Sequence, residues 1–229
     1  MKLYGALLSP FVRKVAVMLG EKGLTYTPAR SGPASTNPEF HRASPFAKVP
    51  AIDDDGFTLA DSSAIVHYLE AQYPEPALIP AEARARGQAI WFDEFGDTIL
   101  SASGRKIMFN RLVGPKLLGQ PGNEAIALEG EAELPPLLDY LESVAPELGG
   151  PAEGGPAEGW LVGGMFSIAD IAVASTLCTM TYVGHGPDAA KRPRTAAWHA
   201  RVLARPSWQA VAEREAAQMS KLLPGYAAA

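Results

Sequence analysis

Cysteine is almost absent. Cys178 stands alone among 229 residues, so no disulfide can form within the chain and packing must hold the fold together. Positive charge is not in excess either: 20 Lys and Arg against 25 Asp and Glu leave a net charge of −5. No run of cations forms a stripe suited to a phosphate backbone, which sets nucleic acid aside as a partner. A charged start followed by an apolar signal segment is missing, because Pro10, Arg13 and Lys14 interrupt it, and the expectation is a cytoplasmic protein. Long hydrophobic runs are lacking as well. The strongest, residues 168 to 183, contains Asp170 and several Ser and Thr residues and falls short of the ~20 residues of a membrane span, so it reads as a buried helix and no membrane partner is expected. No His, Cys and carboxylate cluster has metal-ligand spacing, and no Gly-rich loop follows a strand in the dinucleotide pattern; neither metal nor nucleotide is implied.

What is present is a core. Apolar residues make up 47% of the chain, enough to fill one large or two small domains. Residues 2 to 8 read as a strand, followed by Ser9 and Pro10 at the N-cap and first turn of a helix. Val12, Val15, Ala16 and Leu19 give that helix one apolar face, and Gly23 closes it. Leu24 to Arg30 reads as a second strand, so the chain opens with a βαβ unit. A Ser, Gly and Pro loop from Ser31 to Pro38 precedes a short helix near Glu39 to Ala43. A hairpin turning at Asp53 to Gly56 then delivers Asp61 to a helix running to Gln72, with Ala64, Ile65, Tyr68 and Leu69 as its inward face.

Pro74, Pro76 and Pro80 punctuate the chain, and only helical patterns follow. The boundary is placed near residue 77, with residues 1 to 77 as one domain and residues 84 to 229 as the other. Trp91, Phe92, Phe95, Ile99 and Ala102 mark one helix and Leu128, Leu134, Leu137, Leu138 and Leu141 a second, separated by a break from Gly114 to Asn123. Residues 149 to 159 carry a duplicated Pro-Ala-Glu-Gly unit, read as an expanded surface loop. Phe166 to Asp170 predicts a capping box ahead of an apolar helix, Trp198 to Trp208 a helix, break and helix, and Pro224 onward a loose tail.

Three short stretches carry chemistry. Ser9 sits where its hydroxyl either caps helix amides or points outward to an anion. A free thiol has a pKa of about 8.5, and lowering it by ~2 units takes about 2.7 kcal/mol. One hydrogen bond to a thiolate contributes roughly 1.5 to 3 kcal/mol and the helix dipole roughly 0.3 to 1 kcal/mol, so a single hydroxyl suffices. No neighbouring His or Asp makes Ser9 a nucleophile. Lys48-Val49-Pro50 precedes a strand; a cis Pro50 there would turn the backbone edge of Val49 outward to pair with an extended peptide. Asp61-Ser62-Ser63 opens a helix, where Ser62 can receive a carboxylate and Asp61 an α-amino group, or both can simply cap.

The opening strand, Ser9-Pro10-Phe11, Val49-Pro50, Asp61-Ser62 and Phe166-Ser167-Ile168-Ala169-Asp170 together resemble the cytosolic glutathione transferases, most closely the serine-type classes, tau and its bacterial relatives. The resemblance implies a thioredoxin-like α/β N-terminal domain, an all-α helical C-terminal domain, and a homodimer. It implies that glutathione is the co-substrate, with Ser9 stabilising its thiolate, Val49 pairing with the cysteinyl backbone, Pro50 cis, Lys48 near the glycyl carboxylate, and Asp61 with Ser62 on the γ-glutamyl end. Phe11 would border the pocket of a small apolar electrophile, with Phe95, Ser101, Arg105, Met108 and Phe109 as its further candidates. The loop from Ser31 to Thr36 offers no cation where related classes often have one, which leaves His41 as a candidate for the glycyl carboxylate. Conjugation is the activity implied, with peroxidase activity beside it. A glutathione-dependent isomerase or dehalogenase shares the cradle, and a non-catalytic binding scaffold shares the fold.

Overall fold

The computed structural model of the protein describes residues 1–29, 31–32, 35–147, 159–162 and 164–222; residues 149–158 of the duplicated segment and the tail from Pro224 lie outside them. Strand β1 (Lys2–Tyr4) is shorter than its apolar pattern because Gly5 ends it at φ +128, where a Cβ would stand 2.5 Å from a Val12 methyl. Helix α1 (Pro10–Glu21) follows, then β2 (Thr27–Ala29), α2 (Pro38–Ala43), the hairpin β3 (Ala51–Asp54) and β4 (Phe57–Ala60), and α3 (Ser62–Gln72). The strands form one sheet in the order β2-β1-β3-β4. β1 runs parallel to β2 and antiparallel to β3, with Leu3 opposite both Pro28 and Ile52. One end of this sheet matters for function, because β1 ends there in the loop that carries Ser9 and β3 begins there just after the loop that carries Val49.

Helix follows helix thereafter: α4 (Ala83–Glu94), α5 (Ser101–Met108), α6 (Glu124–Val144), α7 (Ile168–Thr181), α8 (Pro193–Leu203) and α9 (Pro206–Leu222). Phe95–Leu100 and Phe109–Leu118 on either side of α5 are wound as π-helix. The predicted break from Gly114 is therefore corrected. The widened turn carries Gly114 and Pro115 as far as Leu118, and Gly119 ends the run in the left-handed region at φ +64. Gly96, in the first π segment, lies against α7: Thr176 Oγ1 donates to its carbonyl at 3.2 Å, and a Cβ there would meet the Ala172 backbone at 3.1 Å.

The expected apolar face of α1 is buried, but so is all of Val12 to Leu19, since α3, α7 and α9 surround the helix. In α3 the inward face is Ser62, Ile65, Val66 and Leu69; Ala64 is exposed and Tyr68 half-buried, its hydroxyl donating to Asp54 at 2.7 Å. Trp91, Ile99 and Leu128, expected in the core, are exposed. The capping box is present: Ser167 and Asp170 each accept from the other's end of the first turn of α7. Asp170 also accepts from Leu161 N and Trp198 Nε1, while burial pushes its carboxyl up to about 6.

His199 on α8 is 6% exposed and its Nε2 has no hydrogen-bond partner among the described residues; burial pushes its pKa down to about 4. The unfolded chain takes up that proton at about pH 6.5, so the folded state loses stability as pH falls from about 6.5 to 4, at about 1.4 kcal/mol per unit. Asp170 acts with the opposite sign, its contribution being lost as pH rises through about 6. Going from pH 7 to pH 5, the urea midpoint of the parent should therefore fall relative to that of His199→Leu; a constant difference would show that His199 takes up its proton in the fold as readily as in the unfolded chain.

Candidate functional site

A cavity of about 510 Å³ opens between the sheet end and the α5 region. One wall is Ala6, Leu8, Ser9, Pro10, Phe11 and Val49; the other is built by the two π segments, α5 and α7. Ser9 is the N-cap of α1 with an extended backbone (φ −69, ψ 125), yet its side chain makes no capping bond. Pro10 explains how the helix starts without one: its ring fixes φ and removes one of the orphan amides. The Ser9 hydroxyl is thus left to the cavity. The other cavity hydroxyls on helices are spent on backbone carbonyls: Thr98 on Glu94, Ser101 on Asp97, Thr176 on Gly96 and Thr179 on Leu8 and Ser175. Ser31, which the sequence reading passed over as a loop residue, also lines the cavity, with its buried Oγ unpartnered among the described residues.

The remaining expected residues divide by location. Phe11, Val49, Ser101, Arg105, Met108 and Phe109 line the cavity with Ser9. Phe95 does not; at 2% exposed it packs edge-on against Phe92 and Tyr140, and its place in the pocket is corrected to the core. Val49–Pro50 is cis, as is Glu75–Pro76, which nothing in the pattern announced. Pro50 is buried and Lys48 exposed, neither on the cavity surface. His41 is exposed outside it, with Nε2 2.6 Å from the Ser35 carbonyl oxygen.

Asp61 takes a positive φ of 81 and accepts from the Ser63 and Ala64 amides, so it does cap α3 and leaves the Ser62 amide uncapped. Beneath it lies a buried charge cluster. Lys14 Nζ donates to Asp93 Oδ1 at 2.7 Å, to Asp97 and to Ser63 Oγ at 3.1 Å. Ser62 Oγ donates to Asp97 Oδ2 at 3.0 Å, and Ser63 Oγ to Asp93 Oδ2 at 2.8 Å. Asp97 itself reaches the cavity wall; burial pushes its carboxyl upward and Lys14 pulls the other way. Two carboxylates against one ammonium leave a net negative charge beside Ser62, suited to a cationic ligand group. The signal for this cluster was Lys14 inside an apolar helix and Asp93 with Asp97 one helical turn apart.

The protein's family follows from comparison at this point. Residues 3–77 match the family described as "Glutathione S-transferase, N-terminal domain", and residues 120–201 match "Glutathione S-transferase, C-terminal domain". A maize (Zea mays) glutathione S-transferase 3 is 32% identical over 218 residues, covering 91% of each chain. The chain belongs to the glutathione transferase family. A solved glutathione S-transferase from Rhodospirillum rubrum F11 is 28% identical with a TM-score of 0.78, over 92% of this chain and 90% of that one. Rat glutathione S-transferase theta-1 is 31% identical over 165 residues, 71% of this chain and 64% of its own length. The fold is accordingly the glutathione transferase fold, a thioredoxin-like α/β part followed by an all-helical part. No helix among the described residues is long and apolar enough to cross a membrane.

Proposed function

We propose that this glutathione transferase homologue joins the sulfur of glutathione to apolar electrophiles, with residues 1–77 holding glutathione and residues 84–229 supplying the electrophile wall. The observation that carries this reading is the Ser9 hydroxyl, released from capping and facing a largely apolar cavity. Ser9 donates a hydrogen bond from its hydroxyl to the sulfur and holds it as thiolate, and the α1 dipole adds to that field. Val49, on the same wall, pairs its backbone with the cysteinyl residue. The Ser62 amide takes the γ-glutamyl carboxylate. The negative cluster of Asp61 and Asp97 takes the adjoining ammonium, and Lys48 approaches the glycyl end. Attack of the sulfur on an electrophilic carbon held against Phe11 and Phe109 completes the reaction.

The test is the ultraviolet difference spectrum of bound glutathione as pH is raised. A thiolate band titrating well below about 8.5 supports the reading; binding without that shift would mark a binding scaffold. A non-catalytic role has no observation in its favour comparable to the uncapped Ser9.

We further place a homodimer contact at Phe46. It lies in the loop between α2 and β3 and is 87% exposed, a large apolar cost for an isolated chain. Light scattering after gel filtration should give twice the chain mass for the parent. Phe46→Ser should weaken the dimer by about 2 kcal/mol, roughly 30-fold in dissociation constant. A parent of single-chain mass would exclude the contact.

A further inference from the structure

Among the described residues that line the cavity two are charged, Asp97 and Arg105. Asp97 is held by Lys14 and Ser62. Arg105 is held by nothing: no carboxylate lies within ion-pair distance of it and no acceptor takes its guanidinium among the described residues. Its neighbours along the chain differ. Lys106 pairs with Glu133 at 2.5 Å and with Glu129, and Arg111 with Glu124 and Glu131 at 2.5 Å each. The carboxylates of α6 are thus consumed by cations turned toward that helix, while Arg105 points along the opposite stripe. Ser101, Ala102, Arg105, Met108 and Phe109 recur at helical spacing, and all five face the cavity. Arg105 is exposed at the cavity mouth, and Phe109, on the same stripe, is 42% exposed.

A permanently charged planar fork beside an apolar surface recognises a carboxylate, sulfonate or similar planar anion through paired hydrogen bonds. The surrounding apolar wall recognises a hydrocarbon or aromatic body. Together they describe an amphipathic ligand. We propose that Arg105 selects electrophiles that carry an anionic group on an apolar body. This rests on the conjugation reading above and narrows its substrate class.

The test compares an aryl vinyl ketone bearing a remote carboxylate with its methyl ester, so that the reactive carbon is the same in both. In the reaction glutathione gives up its thiol proton, the sulfur bonds to the terminal alkene carbon, and the alkene π pair moves to the carbonyl as an enolate. The α-carbon then takes a proton from solvent; no group leaves and nothing is oxidised. After subtraction of uncatalysed rates, the acid should exceed the ester in kcat/KM by about tenfold, the factor that one charge-assisted contact of about 1.4 kcal/mol supplies. That ratio should fall toward one in Arg105→Gln, persist in Arg105→Lys, and shrink as salt is added to the parent.

Three outcomes overturn the proposal. The parent could turn over the ester without preferring the acid. The ratio could survive Arg105→Gln. The variant could raise KM for glutathione while leaving the ratio alone, which would put Arg105 on a glutathione carboxylate instead. Turnover of neither compound would overturn the conjugation reading, and the selectivity with it.

Discussion

Replacing Ser9 with alanine should lower kcat/KM for conjugation about 10- to 100-fold while glutathione continues to bind. On the proposed reading the hydroxyl supplies one charge-assisted hydrogen bond to the sulfur, and losing it would remove roughly 1.5 to 3 kcal/mol from the thiolate. The dipole of α1 remains, so the bound thiol should return most of the way to about 8.5 and not rise beyond it. Binding should persist because the peptide contacts proposed at Val49 and the Ser62 amide do not pass through Ser9. The substitution leaves the helix start intact: the Ser9 side chain makes no capping bond, and Pro10 continues to open the helix. The thiolate absorbance of bound glutathione, titrated in parent and variant, reads the effect directly. An unchanged titration would transfer the role to another donor, and among the described residues Ser31 is the other cavity hydroxyl with no acceptor of its own. A double variant would then decide between them.

Glu215→Ala should cost about 3 to 5 kcal/mol of stability, the amount expected when a buried charge loses its only counter-ion. Arg13 is fully buried in the first turn of α1. Its Nε donates to Glu215 Oε2 at 2.9 Å and its other arm to Glu215 Oε1, while the remaining nitrogen donates to Ser175 O and Thr179 Oγ1 at 2.6 Å each. Helices α1, α7 and α9 therefore meet on one guanidinium. Removing the carboxylate strands the charge, because neither remaining partner is ionised. Urea unfolding measures the loss. Arg13→Met combined with Glu215→Leu should cost less than Glu215→Ala alone, since no charge is then left behind. A loss below about 1 kcal/mol for Glu215→Ala would mean that water reaches Arg13. The site should respond as well. Thr179 Oγ1 donates to the Leu8 carbonyl at 3.1 Å and Arg13 N to the Ser9 carbonyl at 3.0 Å, so a shifted α1 moves Ser9 on the cavity wall.

Sequence reading located the elements better than their neighbours. Ser9-Pro10, Asp61 and Ser167 with Asp170 were readable as helix starts because capping is settled within four residues of chain. Lys14 and Arg13 were read only as interruptions of an apolar run, and their burial depends on carboxylates 79 and 202 positions away. Phe95 was assigned to the pocket because an aromatic residue on the right helix satisfies either environment; the side it faces is set by the π-helical register from Phe95 to Leu100, which local pattern does not reveal. Gly114-Pro115 carried the usual mark of a break, and the wider turn absorbed it.

The sequence by itself determined where α1, α3 and α7 begin, the βαβ opening, the switch to helices after Pro80, and the family resemblance that those motifs carry. These are short-range matters: spacing, caps and backbone restriction act within a turn or two. Only the tertiary structure decided that the Ser9 hydroxyl is free of its helix, that Ser62 turns its proton to Asp97, that Ser31 joins the cavity, and that Arg105 lacks a counter-ion among the described residues. Each of those depends on which partner arrives from a distant part of the chain, and a hydroxyl or a guanidinium takes whichever acceptor packing brings within 3 Å or so.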